Sequence, residues 1–309
     1  RQRQMCIRDR FSGQGSQYAG MAKDFYDNYE CAKAVFAAAD EALGYKLEDI
    51  MFAEDPAELN KTIHSQPAIM ACSLCAFEVL KEKGVKFEGV AGHSLGEYAA
   101  MAASGMLSFS DAFKLIKIRA QAMQTAAENS EGSMYAVIGP EPSEIEAACE
   151  KTEGYVVPVN YNSPVQTVIA GTAAGIEKAK EALSAKGAKR IVPLAVSAAF
   201  HSRLMAGASE EFAVKVKDIP FNAPSMKFFC NVYGNELTDF SDMPAYLAKH
   251  ICSPVRFTSE LDVISKDGYD TYIELGPGKV LTGLVKKTLD GVTAVNVENI
   301  DTLEKAAAL

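Results

Sequence analysis

The stretch FEGVAGHSLGEYAAMAAS, residues 87–104, constrains this chain more than any other. It opens on a short apolar run, turns at Gly92-His93-Ser94-Leu95-Gly96, and continues as a segment rich in Ala and Met. A strand, a serine between two nearby glycines, and then a helix describe a nucleophile elbow. The glycines let the chain double back without a side-chain clash, and the turn lifts the serine hydroxyl clear of the sheet. The following helix directs its first N–H groups at the serine, where negative charge develops during acyl transfer. A glycine-rich connection whose serine only caps a helix would contain the same five residues. What decides between the two lies elsewhere in the chain.

Such a strand needs a sheet around it. Of the 309 residues, 48% are hydrophobic and 23% charged, enough for one large core and a smaller unit. No apolar run stands out as a membrane span, and no signal-peptide pattern is visible, so a cytoplasmic protein is expected. The formal net charge of −9 argues against nucleic-acid binding. Any anionic ligand would have to meet a local basic patch. The seven cysteines are scattered and odd in number, which suits free thiols in a reducing compartment. Cys72-Ser73-Leu74-Cys75 sits in a stretch that is apolar on all sides and reads as core packing. With no second such pair or nearby histidine pair, no metal site is expected.

The order of elements predicts an α/β protein. Residues 11–128 and 197–309 read as a hydrolase-like large domain around a mostly parallel central sheet. From residue 133 the pattern becomes strand 134–138, helix 141–151, strands 155–160 and 166–170, helix 173–186, strand 190–194. That β-α-β-β-α-β order predicts a ferredoxin-like subdomain inserted at 129–196. Helices are expected over 19–43, over 58–83 with Pro67 in a first turn, and over 110–127. Residues 1–10, RQRQMCIRDR, hold four arginines where an apolar first strand should precede the loop at 11–17. They are expected to be a disordered tail, or foreign sequence standing in place of a native strand. Gly13-Gln14-Gly15-Ser16-Gln17 lacks the third glycine of a dinucleotide fingerprint. Gly276-Pro277-Gly278-Lys279 lacks P-loop spacing.

A nucleophilic serine needs a base, and there are four histidines. His93 adjoins Ser94 within the elbow, so its side chain points elsewhere. His64 is near a helix start and His250 at a helix end. His201 follows a strand in a loop, where catalytic groups are commonly placed, and is the best candidate. No Asp or Glu occupies a similar loop between Ser94 and His201, as α/β-hydrolase chain order would require. Arg119 lies within the apolar face of helix 110–127 and, from that helix alone, reads as a solvated surface charge.

Five separated stretches resemble the malonyl-CoA:acyl carrier protein transacylases and the related acyltransferase domains of polyketide synthases. They are Gly13-Gln14-Gly15-Ser16-Gln17, Gln66-Pro67-Ala68, the elbow from Gly92 to Tyr98, Phe200-His201-Ser202, and Glu274 to Lys279. Asn160 to Pro164 and Ser253-Pro254-Val255 also match, and the resemblance runs over about residues 11–290.

The resemblance implies that Ser94 carries the acyl group as an ester and that His201 is base and then acid. It implies that Arg119 pairs with the free carboxylate of a malonyl group, and that Gln14 and Leu95 form the oxyanion hole through their N–H groups. Residues 198–201, Ala-Ala-Phe-His, resemble the form that accompanies malonyl rather than methylmalonyl selection. Where the family often has a glutamine whose carbonyl orients the catalytic histidine, this chain has His250. Its ring, or a neighbouring backbone carbonyl, is the expected orienter. The implied reaction is ping-pong transfer of malonyl from malonyl-CoA to the phosphopantetheine thiol of acyl carrier protein, for fatty acid synthesis. No cofactor, metal, nucleic acid or membrane is expected, and a monomer is. Lys114, Lys117, Lys189, Arg190, Arg203, Lys286 and Lys287 are candidates for docking an acidic carrier protein. Competing readings are a serine thioesterase or esterase, which would have no use for Arg119, and a catalytically silent subunit binding acyl-CoA or carrier protein.

Overall fold

The computed structural model describes the backbone of residues 4–8 and the residues 16–129, 132–194, 196 and 198–309. Among the described residues, ten strands form two main sheets: β1 (Gln4–Arg8), β2 (Gly89–Gly92), β3 (Gly132–Ile138), β4 (Val156–Ser163), β5 (Gln166–Thr172), β6 (Arg190–Pro193), β7 (Lys227–Cys230), β8 (Asn235–Glu236), β9 (Thr271–Leu275) and β10 (Thr293–Val297). The larger sheet runs β10-β9-β1-β2-β7-β8 and is parallel except for the short edge strand β8. Every residue of β2 and β9 is buried. Helices cover both faces of such a sheet, which explains the apolar run into the elbow.

The first strand corrects an expectation. Residues 4–8 are not a tail. Their backbone pairs in parallel with β2, from Met5 opposite Gly89 to Arg8 opposite Gly92, and with β9 on the other side. Ladder bonds are made by the main chain, so a segment poor in β-formers can still hold a central position.

Two helix boundaries also differ. The predicted helix 19–43 is two helices, Lys23–Asn28 and Glu30–Leu43, separated by an extended Tyr29. The break accompanies an aromatic cluster in which Tyr26 meets Phe36 and Phe52 edge-on, at 4.9 and 5.5 Å between centroids. Helix Thr62–Glu82 begins before Pro67, which therefore lies inside the helix and not in its first turn. This helix is long and apolar enough to cross a membrane, but 83% of its most apolar window is buried within the protein. It packs against helices Glu30–Leu43 and Phe109–Glu128. Cys72 and Cys75 are buried on it, as its all-round apolar composition requires.

The smaller sheet, β4-β5-β3-β6, is antiparallel. Helices Pro142–Lys151 and Ala173–Ala185 close one face over Val137, Ile145, Val156, Ile169, Ile176 and Leu183. The other face, with Met134, Val159 and Val168, packs on Ala199 and Phe200, immediately before His201. Val255 bridges β4 to the larger unit, its N–H donating to the Val159 carbonyl at 2.8 Å and its carbonyl accepting from Tyr161 N–H at 2.9 Å. The small sheet thus buttresses both chain segments that approach His201.

Candidate active site

Ser94 stands between β2 and helix Leu95–Ala103 with φ 55° and ψ −107°. A non-glycine residue in such a conformation costs about 1–3 kcal/mol and persists only where its surroundings enforce it. Gly92 makes the turn possible, because a Cβ there would collide with the backbone of Gly96 and Glu97. Leu95 occupies the first position of the helix, where an N–H has no intrahelical acceptor and is available to an oxyanion. Gln14, the other expected donor, lies outside the described residues. His93 points away, as expected from its place in the elbow. Its Nε2 is 2.7 Å from Asn162 Oδ1, and burial pushes the ring down to about 4.

The chain brings His201 to this serine. His201 has φ 60°, a second strained position. The Ser202 hydroxyl fixes the turn by donating to the Ala199 carbonyl at 2.6 Å and accepting from Leu204 N–H at 3.2 Å. A Cβ on Gly132 would sit 2.5 Å from Ala199 N, so glycine lets β3 approach this loop. The outcome is 2.7 Å between His201 Nε2 and Ser94 Oγ. His201 Nδ1 lies 3.1 Å from the carbonyls of His250 and of Ser253. Two carbonyls on Nδ1 require the proton there, which leaves Nε2 to accept from the serine. Burial, then the positive charge of Arg119, pushes His201 down to about 3, so the free imidazole is neutral.

This arrangement refines the expectation for His250. Its main-chain carbonyl accepts from His201, while its own ring, edge-on to the His201 ring at 5.4 Å between centroids, places Nε2 3.2 Å from Asn231 Oδ1. Ser253, at the end of the same helix, supplies the second carbonyl. The missing acid of a hydrolase triad is thereby accounted for: main-chain oxygen takes its position on Nδ1.

Arg119 is not a surface charge. It is 1% exposed, because helix Phe109–Glu128 packs on helix Thr62–Glu82 and helix Ala206–Val216. Nη1 donates to Gln66 Oε1 at 2.7 Å, Nη2 donates to Ser94 Oγ at 3.0 Å, and the guanidinium carbon lies 5.0 Å from the Tyr98 ring centre. Gln66 was legible only as part of a matching stretch; its partner on another helix could not be read. Beneath the elbow, Glu97, Asn231, Tyr246, His250 and Glu260 form a buried polar cluster that residue types alone did not signal.

The candidate docking charges divide into two groups. Lys114 pairs with Asp111 at 3.0 Å, and Lys117 donates to the Leu43 carbonyl at 2.8 Å, so both are engaged locally. Lys189, Arg190, Arg203, Lys286 and Lys287 are exposed and form no ion pair among the described residues. Among the described residues no cluster of His, Cys, Asp and Glu could hold a metal ion. A neutral imidazole on a strained serine, an N–H at the helix start and a buried guanidinium on the same hydroxyl suit acyl transfer, with a cation beside the acyl chain.

Comparison with known proteins agrees with this chemistry. The acyl transferase domain family matches residues 10–305. The malonyl CoA-acyl carrier protein transacylase of Haemophilus influenzae is 41% identical over 294 residues, 94% of each chain. The crystal structure of MCAT from Streptococcus pneumoniae superposes with a TM-score of 0.93 at 37% identity, over 99% of each chain. A malonyl-transacylase solved in complex with a type II polyketide acyl-carrier protein gives a TM-score of 0.93 at 36% identity, over 100% of this chain and 99% of that one. Over nearly its whole length, then, this chain belongs to the acyl transferase domain family.

Proposed function

We propose that the protein transfers a malonyl group from malonyl-CoA to the phosphopantetheine thiol of acyl carrier protein. The observation that carries this reading is the buried Arg119, whose Nη2 reaches the same Ser94 oxygen that would bear the acyl group. An acyl chain ending in a carboxylate would bring that group to the guanidinium fork, where paired charge-assisted hydrogen bonds hold it. An acetyl group would leave the fork unused.

Ser94 Oγ attacks the thioester carbonyl while His201 Nε2 takes its proton. The oxyanion of the tetrahedral intermediate rests on Leu95 N–H and, in this reading, on Gln14 N–H. As the C–S bond breaks, the imidazolium returns the proton to the CoA sulfur. In the second half, the phosphopantetheine thiol gives its proton to His201 and attacks the malonyl-serine ester. The C–O bond breaks and Ser94 recovers its proton. A cavity of about 550 Å³, lined in part by Ile63, Gln121, Gln124 and Phe200, lies along the helices that carry Gln66 and Arg119 and offers a route for the thiol arm. The exposed Lys189, Arg190, Arg203, Lys286 and Lys287 are the candidates to meet an acidic carrier protein against the net charge of −9.

The same reading takes the fold as a hydrolase-like domain carrying a ferredoxin-like insert. It has the protein acting as a cytoplasmic monomer without a cofactor, away from nucleic acid and membrane. The test is Arg119→Ala assayed with malonyl-CoA and acetyl-CoA. The expected result is a fall in kcat/KM of about 100-fold or more for malonyl-CoA alone. An equal fall for both substrates would contradict the carboxylate role.

A further inference from the structure

Beneath Ser94 lies a side chain that the acyl-transfer steps do not use. Asn231 follows β7 directly, and β7 pairs with β2 through Gly89 opposite Lys227 and Val90 opposite Phe228. Continuing that register sets Asn231 beside His93, in the middle of the elbow. There β2 has turned away, and no strand can pair with it. The Asn231 side chain fills the gap. Its Nδ2 donates to the Gly92 carbonyl at 2.5 Å, and its Oδ1 accepts from Ser94 N–H at 2.7 Å.

The other half of the amide is held as closely. Nδ2 also donates to Glu260 Oε1 at 2.8 Å, and Oδ1 lies 3.2 Å from His250 Nε2. The Asn231 backbone N–H donates to Glu97 Oε2 at 2.9 Å, and Glu97 in turn accepts from the Tyr246 hydroxyl. Asn231, Glu97, His250 and Glu260 are all 0% exposed. An amide has two donors and two acceptor sites, and here each has its own partner. Rotating the amide by half a turn would set the NH₂ group against Ser94 N–H and the oxygen against the Gly92 carbonyl. Burial and the neighbouring Glu97 push Glu260 well above the ordinary carboxylate range, so Asn231 has a neutral acid, not a buried anion, as its outer partner.

We propose that Asn231 is the positioning residue of the nucleophile. Its amide substitutes for a strand partner across residues 92–94 and holds Ser94 in its strained turn, and the Glu260 carboxyl fixes which way that amide faces. The group never touches substrate. It acts through the Ser94 backbone, and so on where Oγ stands relative to His201 Nε2. This rests on Ser94 being the nucleophile, and not on which acyl group it carries.

The test is the rate at which a neutral fluorophosphonate probe labels Ser94 in the full-length protein, with Ser94→Ala as control and folding followed by circular dichroism. Asn231→Asp keeps the size and the acceptor but has at most one donor, on a protonated carboxyl, where the amide NH₂ serves both the Gly92 carbonyl and Glu260 Oε1. It is expected to retain its fold and probe affinity while its maximal labelling rate falls about 100-fold, the scale of a small misplacement of a reacting atom. Glu260→Leu, which frees the amide to turn, is expected to lose about tenfold, and Glu260→Gln, which keeps an acceptor, to recover most of it. Labelling of folded Asn231→Asp at the wild-type rate would overturn the proposal. Where Asn231→Asp does not fold, the Glu260 pair decides: equal rates for Gln and Leu overturn it, and recovery by Gln supports it. Absence of labelling in the wild type would instead remove Ser94 as nucleophile, and the role of Asn231 with it.

Discussion

Arg119 and His201 meet on one atom: Nη2 of the first lies 3.0 Å, and Nε2 of the second 2.7 Å, from Ser94 Oγ. The cation that would hold a substrate carboxylate therefore also opposes the charge His201 must take up. Burial is the larger influence on His201 and Arg119 the next. In the proposed reaction a carboxylate arriving on Arg119 would offset its charge and make the imidazolium easier to form, so the malonyl substrate would improve its own base.

One consequence is measurable in the free protein. Arg119→Gln removes a positive neighbour and must raise the His201 pKa. The acid limb of the pH profile for Ser94 labelling by a neutral probe is expected to move to higher pH than in the wild type. A limb that stays in place, or moves lower, would show that the guanidinium does not act on the imidazole.

Gln66 holds the other arm of the fork, accepting from Arg119 Nη1 at 2.7 Å. Gln66→Leu keeps the bulk and leaves that N–H without its acceptor. Losing a hydrogen bond to a charged group costs about 1.5–3 kcal/mol. The variant is expected to raise KM for malonyl-CoA about tenfold or more, with a smaller change for acetyl-CoA. Equal changes for the two substrates in steady-state kinetics would sink this assignment.

The elbow itself is sterically closed. A methyl group on Gly92 meets main chain, not a movable side chain. Gly92→Ala is expected to destabilise the fold by about 3 kcal/mol, at the upper end for overpacking, in urea unfolding. A loss below about 0.5 kcal/mol, as at an ordinary surface site, would mean that the turn can open.

Glu97 links the buried cluster to acid–base stability. Burial lifts its carboxyl from 4.5 to about 7, against the hydrogen bonds from Tyr246 and Asn231. Between those values the folded chain keeps a proton that the unfolded chain has released. Stability therefore falls as pH rises through this window. Glu97→Gln abolishes that titration. The unfolding free energy of wild type minus variant is expected to decrease from pH 4.5 to pH 7, measured by denaturant titration at each pH. A difference that is flat or increases would contradict a buried, proton-holding Glu97.

Much of the fold was legible because its signals are local. The elbow needs only a few consecutive residues, and the alternation within 133–194 announces the small sheet. The site was legible to the extent that its groups are side chains of types used in catalysis. His201 could be picked out by its loop, but only the family resemblance, and not its own helix, told Arg119 from a surface charge. What buries it is the packing of three helices distant in sequence. The orienter of His201 is main-chain oxygen, to which any residue type contributes alike, so residue types could place it near His250 but could not choose between the ring and a backbone carbonyl. Asn231 was hidden because its role depends on the register between β2 and β7, some 140 residues apart. The pairing of residues 4–8 was not legible for a related reason. Side-chain preference argued against a strand, whereas the pairing between β2 and β9 is made by backbone.

The central claim is that Ser94 takes up a malonyl group and that Arg119 selects it. The direct measurement is the intact mass of the protein after brief exposure to malonyl-CoA or acetyl-CoA, beside Ser94→Ala. A malonyl-sized increase on the wild type only, larger in extent than with acetyl-CoA, is the predicted result. No adduct on the folded wild type, or the same adduct on Ser94→Ala, would contradict it.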